Sequence, residues 1–363
     1  ECLNAIEPGG TVDSAINILH AVQKATSMQT IRSSSRTTCG RFRCLALAAA
    51  AMVIACSQVL AAQWAVACPI PVFQYALEHW NADPYEVVVH HDGALTESQQ
   101  AVVERLQDVE RGKQEVANIT LLRRDHARME SPVATVRTLP YVEVRYPAAT
   151  GIRPSLAQLD LTDKAVSALL DSPARRVIAE HLLQRKTAVW VLLESNDRQA
   201  NVKALQTLRT ELTRLKKTLQ VAEPDEEKAL ELGKLHTEID FTIVRLRRDD
   251  PREQHFIAML LGSERDLNDF EDQPIAFPIY GRGIALYALI GRGINPRTLQ
   301  TAGEFLVGPC SCQVKSGNPG VDLLMSVDWD GKVEPQSRIS DPPTAGLDGF
   351  FERLEGTNQG SSQ

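Results

Sequence analysis

The chain has 363 residues, of which 43% are hydrophobic and 23% are charged, as in a soluble protein long enough for two domains. Its formal net charge is −7, and only 5% of its residues are aromatic. Phosphate binding needs clustered Lys and Arg, and base stacking needs aromatic side chains. This balance therefore disfavours nucleic-acid binding.

The first 67 residues have the pattern of a targeting region. Met28 is the expected start; four arginines and no acid follow it up to Arg43, and an apolar run then extends from Cys44 to Ala62. A basic segment, an apolar core and small residues near its end predict a secretory signal peptide. The core is short and alanine-rich, which disfavours a membrane-spanning anchor. We therefore expect residues 1–67 to be an extension and signal peptide of a periplasmic or extracellular protein.

An alternative for the same region is a lipid anchor. The run from Val53 to Cys56 resembles a bacterial lipobox, in which the cysteine becomes a lipidated N-terminus. Val53 stands where such a motif usually has leucine, so a signal peptide is favoured over a lipoprotein anchored at Cys56. In both cases, membrane association is expected only through the signal peptide or this anchor.

Three of the seven cysteines lie beyond the predicted signal peptide, namely Cys68, Cys310 and Cys312. An exported protein can form disulfides, and an odd number of cysteines leaves one thiol over or pairs it between chains. We expect Cys68 to pair with Cys310 or Cys312. A bond between Cys310 and Cys312 would close a small, strained ring of the kind that a redox role uses. A structural disulfide is favoured, and no metal site is expected because no second Cys or His pair lies at ligand spacing.

Apolar periodicity and turn signals predict alternating helices and strands in the first half of the mature chain. Phe73, Ala76, Leu77 and Trp80 lie at helical spacing, so the first element is a helix. The elements that follow are a strand at 85–89, a helix at 96–106, a strand at 118–122, a strand opened by Pro140, a strand near 156–161 and a helix up to 170. Residues 173–187 are predicted to be a helix that connects two domains.

The second half repeats this alternation. Residues 188–193 predict an apolar strand, and leucines at helical spacing predict a long helix over 199–221, which offers a surface for a protein partner or for self-association. A strand at 240–246 and a helix at 251–261 follow. After Val333 the chain is rich in Pro, Ser, Gly and Asp, so residues 313–363 are predicted to be a largely disordered tail.

Residues 274–291 predict two apolar strands joined by the tight turn Gly281-Arg282-Gly283. A helix is predicted to begin at Asn295-Pro296, where proline suits the first turn. Pro278 lies inside the first of the two strands and has no amide hydrogen. That strand should therefore be irregular or at a sheet edge there.

The order strand, helix, strand, proline-opened strand, strand, helix thus occurs twice. In each copy Arg-Arg-Asp follows the second strand, at 123–125 and at 247–249. This order resembles the thioredoxin fold over roughly 85–171 and 188–307. The resemblance implies an α/β protein with tandem thioredoxin-like domains, each a central mixed sheet flanked by helices. The domains would span residues 68–172 and 188–312, the second carrying the long helix as an insertion.

The resemblance also implies site residues. In that family the strand-opening proline is usually cis, so Pro140 and Pro274 are the candidates. The family places Cys-x-x-Cys just after the first strand, at a helix start that lowers the thiol pKa. Here the matching residues are 90–93 and 194–197, and neither stretch contains cysteine.

These departures favour a non-catalytic exported protein, used for binding or scaffolding in the cell envelope and needing no cofactor. The alternative is a thiol–disulfide oxidoreductase that uses Cys310 and Cys312, with Cys68. His90-His91-Asp92 suggests a metal or acid–base cluster, but neighbouring residues of a strand point to opposite faces, so a plain loop is favoured.

Overall fold

The structure is a computed structural model that describes residues 68–338 except 114, 129–136, 223–228, 231 and 311–314. All of these residues belong to one compact unit. The predicted signal peptide and the lipid-anchor residue Cys56 lie outside the described residues. Among the residues that are described, no helix has the length and apolar character that crossing a membrane requires.

A short strand and a helix open the described chain, β1 (Cys68–Pro71) and α1 (Val72–His79). Nearly every side chain of α1 is buried. Leu77 joins one hydrophobic core, whereas Phe73, Tyr75 and Ala76 join a second core that is built on the other half of the chain. The helix therefore packs mainly against elements that follow it by more than one hundred residues.

The first sheet is mixed and has the strand order β3-β2-β4-β5. Its elements are β2 (Tyr85–His91), α2 (Glu97–Glu110), β3 (Ile119–Asp125), β4 (Tyr141–Arg145), β5 (Ser155–Asp160) and α3 (Asp163–Leu170). β2 runs parallel to β3 and antiparallel to β4. Thr96 and Thr162 cap the two helices through their hydroxyl oxygens, which accept backbone N–H groups of the first turn.

The second sheet is also mixed, with the order β12-β9-β8-β6-β7 and β10 paired to β8. Its elements and their neighbours are α4 (Pro173–Leu183), β6 (Ala188–Glu194), α5 (Arg198–Thr218), β7 (Phe241–Arg247), α6 (Gln254–Leu261), β8 (Ile275–Tyr280), β9 (Ile284–Ala285), β10 (Leu289–Ile290), α7 (Pro296–Val307), β11 (Pro309–Cys310), β12 (Val321–Asp322) and α8 (Trp329–Lys332). β11 pairs with β1 and lies outside both larger sheets.

β6 is apolar up to its last residue, Glu194, because its two faces enter two different cores. Val189, Val191 and Leu193 lie in the first core, which also contains residues of the first sheet. Trp190 and Leu192 point the other way, into the second core with α1, α5 and α7. The first core thus joins the two sheets. A strand buried on both faces has the continuous apolar run that the sequence shows here.

The two sheets share strand order and strand directions, but the repeated Arg-Arg-Asp triplets are not equivalent. Arg123 to Asp125 are the last three residues of β3 and pair with β2 as far as His91. In the second copy only Arg247 belongs to the strand, where it pairs with Glu194. Relative to the ends of the paired strands, the second triplet begins two residues later than the first. The two halves therefore share their strand topology but not the position of this motif.

The two candidate prolines differ in their peptide bonds. The Leu139–Pro140 bond is cis, and it is the only cis bond among the described residues. Pro274 therefore follows a trans bond. It precedes β8, and its carbonyl accepts the Gly291 N–H at 2.9 Å.

The turn Gly281-Arg282-Gly283 joins β8 to β9, as predicted. Gly281 has φ +57°, and a Cβ there would lie 2.6 Å from the Cβ of Ala76, so α1 approaches too closely for a side chain. β8 lies inside the sheet rather than at its edge. On the side of β8 that faces away from β6, β8 pairs with β10 at Ala276 and with β9 at Ile279. The irregularity expected at Pro278 lies between these two pairings.

The long helix buries its leucine stripe. Leu208, Leu212 and Leu215 lie in the second core, and α5 packs against α7. The opposite face is exposed, including Val202 at 59%. Association of the protein through this helix stays a prediction and would have to use that outer face.

The predicted disorder of the tail is wrong for residues 315–338. Leu323, Leu324 and Met325 are buried in the first core, and Trp329 joins them. β12 also extends the second sheet by pairing with β9. Most residues of this segment are polar, so its composition did not indicate that its few large apolar residues complete the first core. Residues 339–363 lie outside the described residues.

Candidate functional site

The segment 194–197 covers the last residue of β6 and the loop after it, and side-chain hydrogen bonds to the backbone close that loop. The Asp197 carboxylate accepts the N–H groups of Gln199 at 2.8 Å and Ala200 at 3.0 Å, which are free donors at the start of α5. The Asn201 side chain accepts the Ser195 N–H at 2.9 Å. The helix start that could lower a thiol pKa is therefore occupied by a carboxylate.

A groove of about 700 Å³ lies beside this loop. Four arginines and two acids border it, namely Arg198, Arg245, Arg247, Arg248, Glu194 and Asp249. Glu194 pairs with Arg245 at 2.6 Å, and Asp249 pairs with Arg247 at 2.7 Å. The groove keeps a surplus of positive charge although the whole chain is acidic.

The corresponding loop of the first sheet, residues 90–93, begins inside a strand. His90 and His91 are the last residues of β2 and are both buried, so the predicted loop is wrong for them. Their rings point to opposite faces, as strand geometry requires. His91 Nδ1 donates to the Gly93 carbonyl at 2.8 Å, and the Gly93 N–H donates to Asp125 at 3.1 Å.

His90 belongs to a hydrogen-bonded chain on the outer face of the first sheet. Its Nε2 lies 3.2 Å from Glu143 Oε2, and its Nδ1 lies 3.0 Å from His126 Nε2. A neutral His90 that donates from Nε2 to Glu143 accepts from His126 at Nδ1. The Tyr141 ring stacks on His90 with centroids 4.5 Å apart. Register explains the cluster, because Tyr141 pairs directly with His90.

Burial and hydrogen bonds set the protonation states of Glu143 and His90 in this cluster. Burial by itself raises the pKa of Glu143, but hydrogen bonds from Arg145, Ser155 and His90 outweigh it and hold the pKa at about 2. Burial lowers the pKa of His90, and the hydrogen bond with Glu143 opposes that shift only in part. Near neutral pH the pair is therefore a carboxylate and a neutral imidazole.

Replacing Glu143 with glutamine is expected to lower the pKa of His90 further. The variant removes the negative charge that favours imidazolium and leaves the burial that opposes it. Titration of the ring signals by nuclear magnetic resonance measures this change. Glu86→Gln is the matched control. Glu86 lies on β2, the strand that holds His90, but it pairs with Arg145 rather than with His90. An unchanged His90 pKa in Glu143→Gln would show that this pair does not form in solution.

Two of the candidate cysteines, Cys68 and Cys310, lie in β1 and β11, outside the two sheets that carry these loops. Cys310 is buried in β11, and the antiparallel register sets its Cα directly opposite that of Cys68 in β1. Cys312 lies outside the described residues. Within the described part of the chain, no group of three His, Cys, Asp or Glu side chains is placed to hold a metal ion.

Asp322 is a second buried ionisable group. Burial raises its pKa to about 6, and the ammonium of Lys315, 2.5 Å from its Oδ2, opposes the rise. Its Oδ1 has no hydrogen-bond partner among the described residues. Lys315 also pairs with Asp83 at 3.1 Å, so this cluster connects the loop before β2 to β12.

Sequence reasoning missed Glu143, His126 and Asp322. Glu143 takes the polar position in the alternation of Tyr141–Arg145, between the core residues Val142 and Val144, so the sequence could place it on the outer face but could not identify its partner. No local signal marks His126, since its partner His90 is distant in the chain. Lys315, the partner of Asp322, is close in the chain, but the burial of Asp322 comes from the pairing of β12 with β9. No protein-family model matches this chain, and no curated protein matches it either.

Proposed function

We propose that residues 85–171 and 188–307 are two thioredoxin-like units of an exported protein that binds or scaffolds partners in the cell envelope without catalysis. The matching strand orders β3-β2-β4-β5 and β7-β6-β8-β9 support the paired units. In both, a helix connects a parallel pair, and the next strand is antiparallel. The N-terminal targeting pattern supports export.

The observation that carries the non-catalytic function is the cap of α5. Asp197 holds the two N–H groups that would stabilise a thiolate at this position. The first unit begins its helix with Thr96 and likewise offers no thiol there. The arginine-bordered groove beside residues 194–197 is the surface that we assign to partner binding. Its positive surplus suits an acidic segment of a protein.

The competing function is thiol–disulfide exchange through Cys310 and Cys312. Cys310 is 1% exposed, and a nucleophilic thiol must reach its substrate, so burial argues against turnover. We expect the full chain to leave the rate of insulin reduction by dithiothreitol unchanged. The assay follows the turbidity of the reduced insulin chains.

The contrary result is a faster reduction that Cys310→Ser abolishes. That outcome would establish an oxidoreductase and exclude a purely scaffolding role. Cys312→Ser tests the second thiol separately from Cys310. An exchange reaction needs both an attacking and a resolving sulfur, so the two variants show which cysteines the reaction uses.

A further inference from the structure

We propose that Cys68 and Cys310 form a disulfide that fastens the first strand of the mature chain to the strand that follows α7. The two residues are direct Cα partners in the antiparallel pair of β1 and β11. The inference does not rest on the proposed binding function, because it needs only this register, the two thiols and a disulfide oxidant.

The register brings Cys310 within reach of Cys68. Directly opposed residues of an antiparallel pair have Cα atoms about 4.5–5.5 Å apart, within the span of about 4.4–6.8 Å that a disulfide bridges. Cys68 and Cys310 are such Cα partners, and the register shifts only between Cys68 and Pro71. Cys310 is therefore the partner that the pairing of β1 and β11 supports.

The backbone holds the two strands together independently of any sulfur bond. The Val72 N–H donates to the Gly308 carbonyl at 3.0 Å, just beyond the ends of β1 and β11. Ile70 in β1 and Leu306 in α7 are both buried in the second core. The bond is therefore compatible with the folded backbone, which pairs the two Cα atoms without it.

The chemistry is a two-electron oxidation. The thiolate of one cysteine attacks a disulfide oxidant such as glutathione disulfide and releases one glutathione thiolate. The second cysteine thiolate then attacks the mixed disulfide, forms the Cys68–Cys310 bond and releases the other glutathione. The two thiol protons go to the released thiolates. Since Cys310 is buried in the folded chain, we expect this exchange to precede the final packing.

The bond would act as a structural staple. It closes a loop that contains the first sheet and every strand of the second sheet except β12, and long closed loops restrict the unfolded chain most. It would also keep α1 seated on the second core, to which this helix contributes most of its apolar side chains.

The test is disulfide mapping of the full chain after refolding with glutathione disulfide. Free thiols are blocked with iodoacetamide, and tryptic fragments are analysed by mass spectrometry without reduction. One tryptic fragment, residues 298–315, carries both late cysteines. The mapping is therefore repeated with Cys312→Ser and Cys310→Ser. The Cys68 fragment of the full chain, residues 44–105, also carries Cys44 and Cys56. Fragmentation of the wild-type pair between residues 56 and 68 and between residues 310 and 312 therefore assigns the bond even when a variant fails to fold.

We expect a cross-link between the Cys68 fragment and fragment 298–315 in the wild type and in Cys312→Ser, and its loss in Cys310→Ser. Dithiothreitol should lower the melting temperature of Cys312→Ser but not that of Cys68→Ser. A bond that survives Cys310→Ser and disappears in Cys312→Ser would overturn the assignment. A Cys68 recovered only in its alkylated form would overturn the disulfide itself.

Discussion

Replacing Glu78 with glutamine is expected to lower the free energy of unfolding by about 3 kcal/mol, because it breaks a buried charge pair from one side. The Glu78 side chain is fully buried and accepts from Arg185 at 2.6 Å and from Gln74 at 3.1 Å. It also accepts from the backbone N–H of Ser337 at 3.0 Å and from the hydroxyl of that residue. The variant leaves the Arg185 guanidinium, itself 17% exposed, without its counter-charge.

The measurement is urea unfolding followed by circular dichroism. Glu104→Gln is the matched control: Gln100 and Glu104 form the same i, i+4 hydrogen bond at 3.2 Å, but on the exposed face of α2. The control should change the free energy of unfolding by less than about 0.5 kcal/mol. Equal losses in the two variants would contradict the importance assigned to the buried network.

The Glu78 network also predicts the direction of a pH effect. Burial by itself raises the pKa of Glu78, but hydrogen bonds from Ser337, Arg185 and Gln74 outweigh it, so the pKa lies below the ordinary glutamate value. The unfolded chain then binds the proton more readily. The stabilisation is complete above the unfolded pKa and is lost as pH falls through the folded pKa. Glu78→Gln should lack this part of the acid sensitivity.

Replacing Arg282 with alanine is expected to lower the free energy of unfolding by about 3 kcal/mol. The variant removes the donor from buried acceptor groups and does not bring water to them, so these groups are left without a hydrogen-bond partner. Arg282 lies in the turn between β8 and β9 and is 6% exposed. Its guanidinium donates to the carbonyls of Leu77 at 2.9 Å and Glu78 at 3.3 Å, at the end of α1. It also pairs with Asp330 at 2.7 Å.

The chain contains a matched control for this variant. Arg292 also lies between two glycines, in Gly291–Gly293, but its side chain is exposed. Arg292→Ala should change the free energy of unfolding by less than about 0.5 kcal/mol in the same urea experiment. Similar values for Arg282→Ala and Arg292→Ala would show that the helix end of α1 is satisfied by water instead.

Both variants remove contacts that hold α1 in its place. Glu78 ties this helix to Arg185 and to the tail, and Arg282 ties the helix end to the β8–β9 turn. The sequence predicted α1 as a helix and assigned it to the first half of the chain. Its apolar residues instead fill the second core. Helical spacing shows which face of a helix is apolar but does not identify the elements that cover it.

The local pattern was sufficient for the order of helices and strands. Asn295 does cap the helix that begins at Pro296, and the apolar run of 188–193 is a strand. These features depend on residues close in the chain, through capping groups, turn glycines and period-two or period-3.6 repeats. The α/β class with mixed, helix-flanked sheets follows from that order.

Only the tertiary structure decided which distant groups meet. Glu143 reaches His90 because β4 pairs with β2 in one register, and Cys68 faces Cys310 because β1 pairs with β11. The tail folds because Leu323 and its neighbours complete a core that two sheets share. Pairing register and core completion depend on contacts between remote segments, and local periodicity carries no information about those contacts.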